Sequence, residues 1–240
     1  MDKILKNTKN IIIFSNLQNL IFEHDIKEIN TNIIKLYKFL KKMNKNIILP
    51  TFNLNFPETK QTSLLTRDIT TGYLSKFLIK NFKFSRSKRP MYNYAVNGPN
   101  EKQICNLKQS TAWGNDSVLG YLVKNEAYGL AININPKIFN WLVIHYCEEN
   151  SKVPYRYFKT FNGKNISNRK NVKEKMYVRD YSKNKIEDGR KINNILLKKK
   201  IIKKFKFDLF DIYLLPFNEY SDIALRKLKT NKNYLVKNEK

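Results

Sequence analysis

Only two of the 240 residues are cysteine, Cys105 and Cys147, and only two are histidine, His24 and His145; glycine and proline number seven each. With no C-x-x-C spacing, the cysteines form neither a disulfide framework nor a paired-thiol zinc motif. Both are expected as buried thiols. The other role open to Cys147, two residues from His145, is that of an acyl-carrying nucleophile. Scarce histidine also argues against a catalytic metal, since zinc normally takes three protein ligands rich in His or Cys. Nowhere does the chain approach the roughly 18 to 20 uninterrupted apolar residues of a membrane span. The segment Met1–Asn7 lacks the basic, apolar and small-residue succession of a secretory signal. A cytoplasmic protein without a membrane partner is the expectation.

Acidic residues are few as well: 20 against 46 basic, a formal charge of +26. Such an excess ordinarily points to a polyanion. Here most of the cations are lysines accompanied by abundant Ile and Asn, the trio that an AT-rich genome encodes by default. Charge is therefore read as composition, nucleic acid is not the expected partner, and a basic nucleic-acid-binding protein stands as the alternative.

What the sequence has is core material. Its 42% hydrophobic and 13% aromatic residues suffice for one domain spanning 1–240. Asn10–Ser15 reads as a buried strand, and Ile29, Ile33, Leu36, Tyr37 and Leu40 follow at helical spacing. Ile47–Leu49 is a second strand, ended by Pro50. A long loop is expected over Thr51–Asp68, then a helix from Tyr73 to about Asn81 with a threonine, Thr70 or Thr71, as cap. Residues 82–120, rich in Gly and Pro, read as short strands and loops, and Tyr128–Ile134 as a buried strand. Tyr155–Phe161 alternates aromatic and basic residues as a two-faced strand would. A hairpin turn is expected at Asn162-Gly163, with Tyr177–Tyr181 in the partner strand. Lys198–Lys204 reads as a solvated helix face, and Leu235–Lys240 as a frayed tail.

Six segments carry a more specific signal. They are Ile13-Phe14-Ser15-Asn16-Leu17, Leu49-Pro50-Thr51-Phe52, Thr71-Gly72-Tyr73-Leu74, Arg86-Ser87-Lys88-Arg89-Pro90 with Asn97-Gly98, Trp113-Gly114-Asn115-Asp116-Ser117, and His145-Tyr146-Cys147-Glu148. In this order and spacing, over about residues 10–180, they resemble the aminoglycoside 3-N-acetyltransferase family, the last segment matching its H-x-x-E. The resemblance implies an αβα sandwich with a central mixed β-sheet, acetyl-CoA as donor, and a small amine as acceptor. Phe14, Asn16, Arg89 and Leu142 stand where the family usually has other residues, and these replacements bear on substrate identity.

Acetyl transfer to an amine needs a base for the amine proton. His145 is the candidate base and Glu148 its orienting carboxylate, since three residues of helix bring both to one face. The phosphates of acetyl-CoA call for backbone N–H groups at a helix start and for cations. Ser15, Asn16, Leu17, Arg86 and Ser87 are the candidates, with Thr51 along the pantetheine path. Trp113, Asp116 and Ser117 are candidates for shaping the acceptor pocket. From the high net charge, an amino sugar linked to a nucleotide or in a surface-polysaccharide pathway is expected rather than a polycationic aminoglycoside. A relative that binds CoA but no longer turns over is a further alternative.

Overall fold

The computed structural model describes residues 1–63 and 69–238. A short helix α1 (Asp2–Leu5) leads into β1 (Asn10–Ser15), and after α2 (Gln18–Glu23) the chain forms α3 (Ile26–Lys42) and β2 (Asn46–Pro50). Asp25 caps α3 by accepting a hydrogen bond from the Lys27 amide at 2.6 Å, satisfying a donor the helix start would otherwise leave unpaired. Ile29, Ile33, Leu36, Tyr37 and Leu40 are all buried, as their spacing predicts.

Residues 51–63 are less open than a loop, for they contain α4 (Phe56–Thr59) and β3 (Gln61–Thr62); the rest of the expected loop, 64–68, lies outside the described residues. Helix α5 (Tyr73–Asn81) follows, capped by Gly72 and not by a threonine. The two threonine hydroxyls instead donate to Phe52 O and Pro50 O at 3.0 and 2.9 Å, tying this segment to the end of β2. Next come β4 (Ser85–Arg86), β5 (Tyr94–Asn97), α6 (Glu101–Cys105), α7 (Val118–Lys124), β6 (Tyr128–Ile132) and α8 (Val143–Ser151).

A long antiparallel hairpin, β7 (Arg156–Asn165) and β8 (Lys170–Arg179), is followed by β9 (Lys185–Glu187), α9 (Arg190–Lys198), β10 (Lys203–Phe207), β11 (Phe210–Pro216), α10 (Phe217–Thr230) and β12 (Val236–Asn238). The hairpin turns at residues 166–169, not at Asn162-Gly163, which lie within β7. Gly163 answers to a close approach: a Cβ there would stand 2.4 Å from Lys60 O, on the neighbouring segment. The lysine-rich segment 198–204 is a helix end, a turn and a strand start, although its lysines are exposed as expected. The tail is not frayed at 235–238, because Leu235 is fully buried and β12 pairs with β9.

The central sheet runs β10-β11-β6-β1-β2-β5-β4, with β6, β1 and β2 parallel and the flanking strands antiparallel. Alternation along the strands divides the core. Ile11, Ile13, Ile47 and Leu49 pack against α3 and α5, while Ile12 and Ile48 face the side covered by α7, α8, α9 and α10. The result is the expected αβα sandwich with a mixed sheet. On the second face, Gly129 lets Phe217 and Trp141 close down on β6, where a Cβ would meet them at 2.6 and 2.8 Å. Trp141, Val143, Ile144 and Cys147 are completely buried there. That packing anchors α8, and with it His145.

Candidate active site

Parallel strands β6, β1 and β2 end together, the position where open α/β sheets bind ligands. A cavity of about 230 Å³ lies there, lined by Phe14, Ser15, Pro50, Phe52, Thr71, Gly72, Ser75, Ile134 and Phe139 among others. From Phe52 a line of aromatic rings continues through Tyr92, at 4.8 Å, and Trp113, at 4.3 Å, to the imidazole of His145 at 4.9 Å. A glycine-containing turn and the hydroxyl of Thr111 hold Trp113: Thr111 Oγ1 accepts from Gly114 N at 3.0 Å and donates to Glu149 Oε1 at 2.5 Å.

His145 Nδ1 faces two carboxylates, Glu187 Oε2 at 3.1 Å and Glu148 Oε2 at 3.4 Å. Glu148 is completely buried, and the His145 side chain retains 23% exposure. Among the described residues Nε2 makes no protein hydrogen bond. Arg156, at the base of the hairpin, bridges the two acids, with Nε 2.9 Å from Glu148 Oε2 and Nη2 2.7 Å from Glu187 Oε2. Burial by itself would lower the imidazole pKa, but Glu187 and Glu148 outweigh it and lift the group to about 9. Burial likewise opposes ionisation of Glu187, yet His145 and Arg156 hold it below the usual carboxylate range. The cluster is a compensated set: two carboxylates, a guanidinium and an imidazolium.

Glu148 was legible by its spacing from His145. Glu187 and Arg156 were not, because one sits on a three-residue strand distant in sequence and the other in what reads as a surface alternation. The His145, Glu148 and Glu187 donor atoms lie within 4.8 Å of one another, close enough for a divalent ion by distance alone. Arg156 already stands against both carboxylates as their cation.

Other sequence candidates separate into cavity-lining and framework residues. Ser15 lines the cavity. Asn16 Oδ1 accepts from the Gln18 amide at 3.2 Å at the start of α2, whereas Leu17 is a buried packing residue. Thr51 and Ser87 are completely buried: the Thr51 hydroxyl bonds Asn93, and Ser87 Oγ accepts from Tyr94 N at 2.9 Å. Arg86 is turned inward, donating to Thr51 O at 3.2 Å and to Asn93 Oδ1. Asp116 is exposed but receives the Ser110 amide at 2.9 Å. Ser117 is completely buried and caps α7 by accepting from the Gly120 amide at 3.0 Å. Cys147 is fully buried, and burial first, then Glu148 and Asp222, push its thiol well above the usual range. His24 pairs with Glu28 on the surface at 3.3 Å.

Arg89 and Glu174 form a buried ion pair that fixes the Tyr92 segment. Arg89 Nε is 2.6 Å from Glu174 Oε1, and Glu174 Oε2 accepts from Met91 N at 3.1 Å. No described helix is long and apolar enough to cross a membrane.

Residues 43–229 match the family described as aminoglycoside 3-N-acetyltransferase, well over half of the chain. Solved structures agree in fold. Aminoglycoside acetyltransferase AAC(3)-IIb superposes with a TM-score of 0.74 at 13% identity, covering 96% of this chain and 94% of that one. A histidine-to-alanine variant of AAC(3)-IVa in complex with a gentamicin gives 0.71 at 16% identity, over 95% and 86%. AAC-IIIb in binary complex with CoASH gives 0.69 at 11% identity, over 95% and 93%. No curated protein sequence matches the chain.

Proposed function

Because the chain belongs to the aminoglycoside 3-N-acetyltransferase family, and so to the acetyl-CoA-dependent acetyltransferases, we propose that it acetylates a primary amine of an aminoglycoside-type polyamine with His145 as general base. The observation that carries this reading is the orientation of one imidazole. Nδ1 lies within 3.4 Å of two carboxylate oxygens and 3.3 Å from Arg156 Nη2; the two acceptors favour the tautomer protonated at Nδ1, so the neutral ring presents Nε2 as its acceptor.

The amine nitrogen attacks the thioester carbonyl as Nε2 takes its proton. As the tetrahedral intermediate collapses, the C–S bond breaks, and the imidazolium proton goes to the departing thiolate of CoA. General-base help of this kind is worth about 10²- to 10⁴-fold in rate. Glu148 and Glu187 fix the tautomer and stabilise the imidazolium between the two proton transfers.

Local charge supports a cationic acceptor. The expectation of a nucleotide-linked amino sugar rested on pocket charge following the net charge of +26. Around His145 the balance differs, since Glu148 and Glu187 share one guanidinium, that of Arg156. In the free protein the imidazolium balances the remaining charge; once it has lost its proton the cluster carries one net negative charge, which an incoming ammonium would compensate. The reading invokes no metal, because the Arg156 guanidinium already stands against both carboxylates as their cation.

For the donor, the cavity at Ser15 and Phe14 is the proposed entrance of the pantetheine arm, with Ser15 and Asn16 nearest its phosphates. Thr51, Arg86 and Ser87 act by holding the cavity wall. The test is mass spectrometry of gentamicin, sisomicin, apramycin and nucleotide-linked amino sugars incubated with acetyl-CoA. Acetylation of the aminoglycosides, lost in His145→Ala with the fold retained, is expected. Faster acetylation of the nucleotide sugars would overturn the acceptor, and unchanged turnover in His145→Ala would overturn the base.

A further inference from the structure

Beyond Arg156, the proposed acyl transfer assigns no role to the alternation of aromatic and basic residues in β7. The hairpin β7–β8 belongs to a separate three-stranded sheet. Over residues 156–179 it exposes six cations, Lys159, Lys164, Arg169, Lys170, Lys173 and Lys175, and no carboxylate. Its one acidic residue, Glu174, is buried and engaged by Arg89. Among the described residues none of the six is ion-paired, so their field is not neutralised within the protein.

The register gathers part of this charge on one face. Phe158 stands opposite Tyr177, Thr160 opposite Lys175, Asn162 opposite Lys173 and Lys164 opposite Asn171. Lys175 Nζ lies 5.0 Å from the centre of the Phe158 ring, and that ring is 46% exposed. At the far half of the hairpin a cavity of about 550 Å³ is lined by Lys60, Lys164 and Lys173 with the amides of Gln61, Asn162 and Asn171.

We propose that this hairpin face binds single-stranded nucleic acid, lysines meeting phosphates and Phe158 stacking on a base. The half-exposed Phe158 ring packs against Tyr177, ring centres 4.8 Å apart, beneath Lys175, and an aromatic ring among cations suits an unstacked base. The cavity is also lined by Ile166 and Val172, and its side-chain amides can bond base edges and phosphates. A two-stranded ribbon can also enter the major groove of a duplex; the exposed Phe158 ring, which can stack only on an unpaired base, favours the single strand. This site is independent of the acetyltransferase chemistry.

The experiment is fluorescence anisotropy with labelled oligouridine, alone and annealed to oligoadenosine, across a range of salt. The proteins are the unaltered chain, the triple variant Lys164→Gln, Lys173→Gln, Lys175→Gln, the variant Phe158→Leu, and a control triple at the exposed Lys198, Lys199 and Lys203. Melting curves of each ensure that folded protein is compared. The single strand should bind more tightly than the duplex. The hairpin triple should weaken it about tenfold or more and flatten the log–log salt slope by about 2, at roughly 0.7 per cation on a single strand. Phe158→Leu should weaken binding and leave the slope, while the control should match the unaltered chain within about twofold. Equal losses in the two triples would overturn the proposal in favour of diffuse charge. Preference for the duplex, or hairpin-dependent binding of phosphatidylserine vesicles without oligouridine binding, would overturn it as well.

Discussion

The imidazole of His145 lies against the indole of Trp113, their ring centroids 4.9 Å apart and their planes 28° from parallel. An indole face attracts a cation, so this stack favours the imidazolium that the proposed transfer forms. It also restricts rotation of the ring. Carboxylates stand at one edge of the histidine and the indole covers one face, which leaves Nε2 as the edge without a protein hydrogen bond among the described residues.

Replacing Trp113 by Phe should therefore do two separable things. The side chain is 2% exposed, so the smaller ring should lower the melting temperature by several degrees through lost packing. Loss of indole stabilisation should lower kcat/KM about tenfold and move the acidic limb of its pH profile down by up to about one unit. A variant with the limb unmoved and kcat/KM intact would show that Trp113 only fills space.

With His145 at about 9, roughly one imidazole in a hundred is neutral at pH 7 in the free protein. Log kcat/KM should rise with unit slope up to about pH 9. Glu187→Gln should shift that limb downward by removing the nearer negative charge, and an acceptor amine's own titration would not move with the mutation. The pKa is raised in the folded state, so the associated stabilisation is complete below about 6.5 and disappears as pH rises through 9. Urea unfolding at pH 6 and pH 9.5 should show unaltered protein losing more stability across this window than His145→Gln. Equal losses would mean that the carboxylates do not hold the proton.

Much of the scaffold of this site could be read from the sequence, because Ile11–Ile13 and Ile47–Leu49 are uninterrupted apolar runs and α3 keeps its helical period throughout. The tertiary parts could not. Glu187 reaches His145 only because β9, three residues long, pairs with β12 near the end of the chain. Arg156 looks like one more cation in a basic strand until Glu148 and Glu187 are found on either side of it. Gly163 signals a turn, yet its missing Cβ serves the approach of Lys60. Thr51 and Ser87 lie in matching motifs, but their hydroxyls are spent on Asn93 and Tyr94. Such assignments depend on side-chain direction, which a motif does not encode.

Arg156→Met would leave Glu148 and Glu187 facing each other with one cation fewer. Removing one partner of a buried charge network commonly costs about 3–5 kcal/mol. At this chain length that is a fall of about 6–20 °C in Tm. Adding Glu187→Gln removes one of the stranded charges and should recover part of the loss. If the double variant were no more stable than the single, the bridging role of Arg156 would be refuted.

Cys147 separates direct transfer from a mechanism through an acetylated enzyme. It is fully buried with its thiol pushed well above the ordinary range, while a nucleophilic cysteine needs a depressed pKa and access. Two residues along a helix also turn it about 200° from His145, away from the base that would have to activate it. Cys147→Ala should leave kcat within about twofold and lower stability modestly through the small cavity it creates. The native thiol should resist Ellman's reagent until the protein is unfolded. Initial rates with varied donor and acceptor should give intersecting double-reciprocal lines, the pattern of a ternary complex. Parallel lines together with an acetyl adduct on Cys147 in the intact mass would move the first chemical step from the acceptor nitrogen to this sulfur.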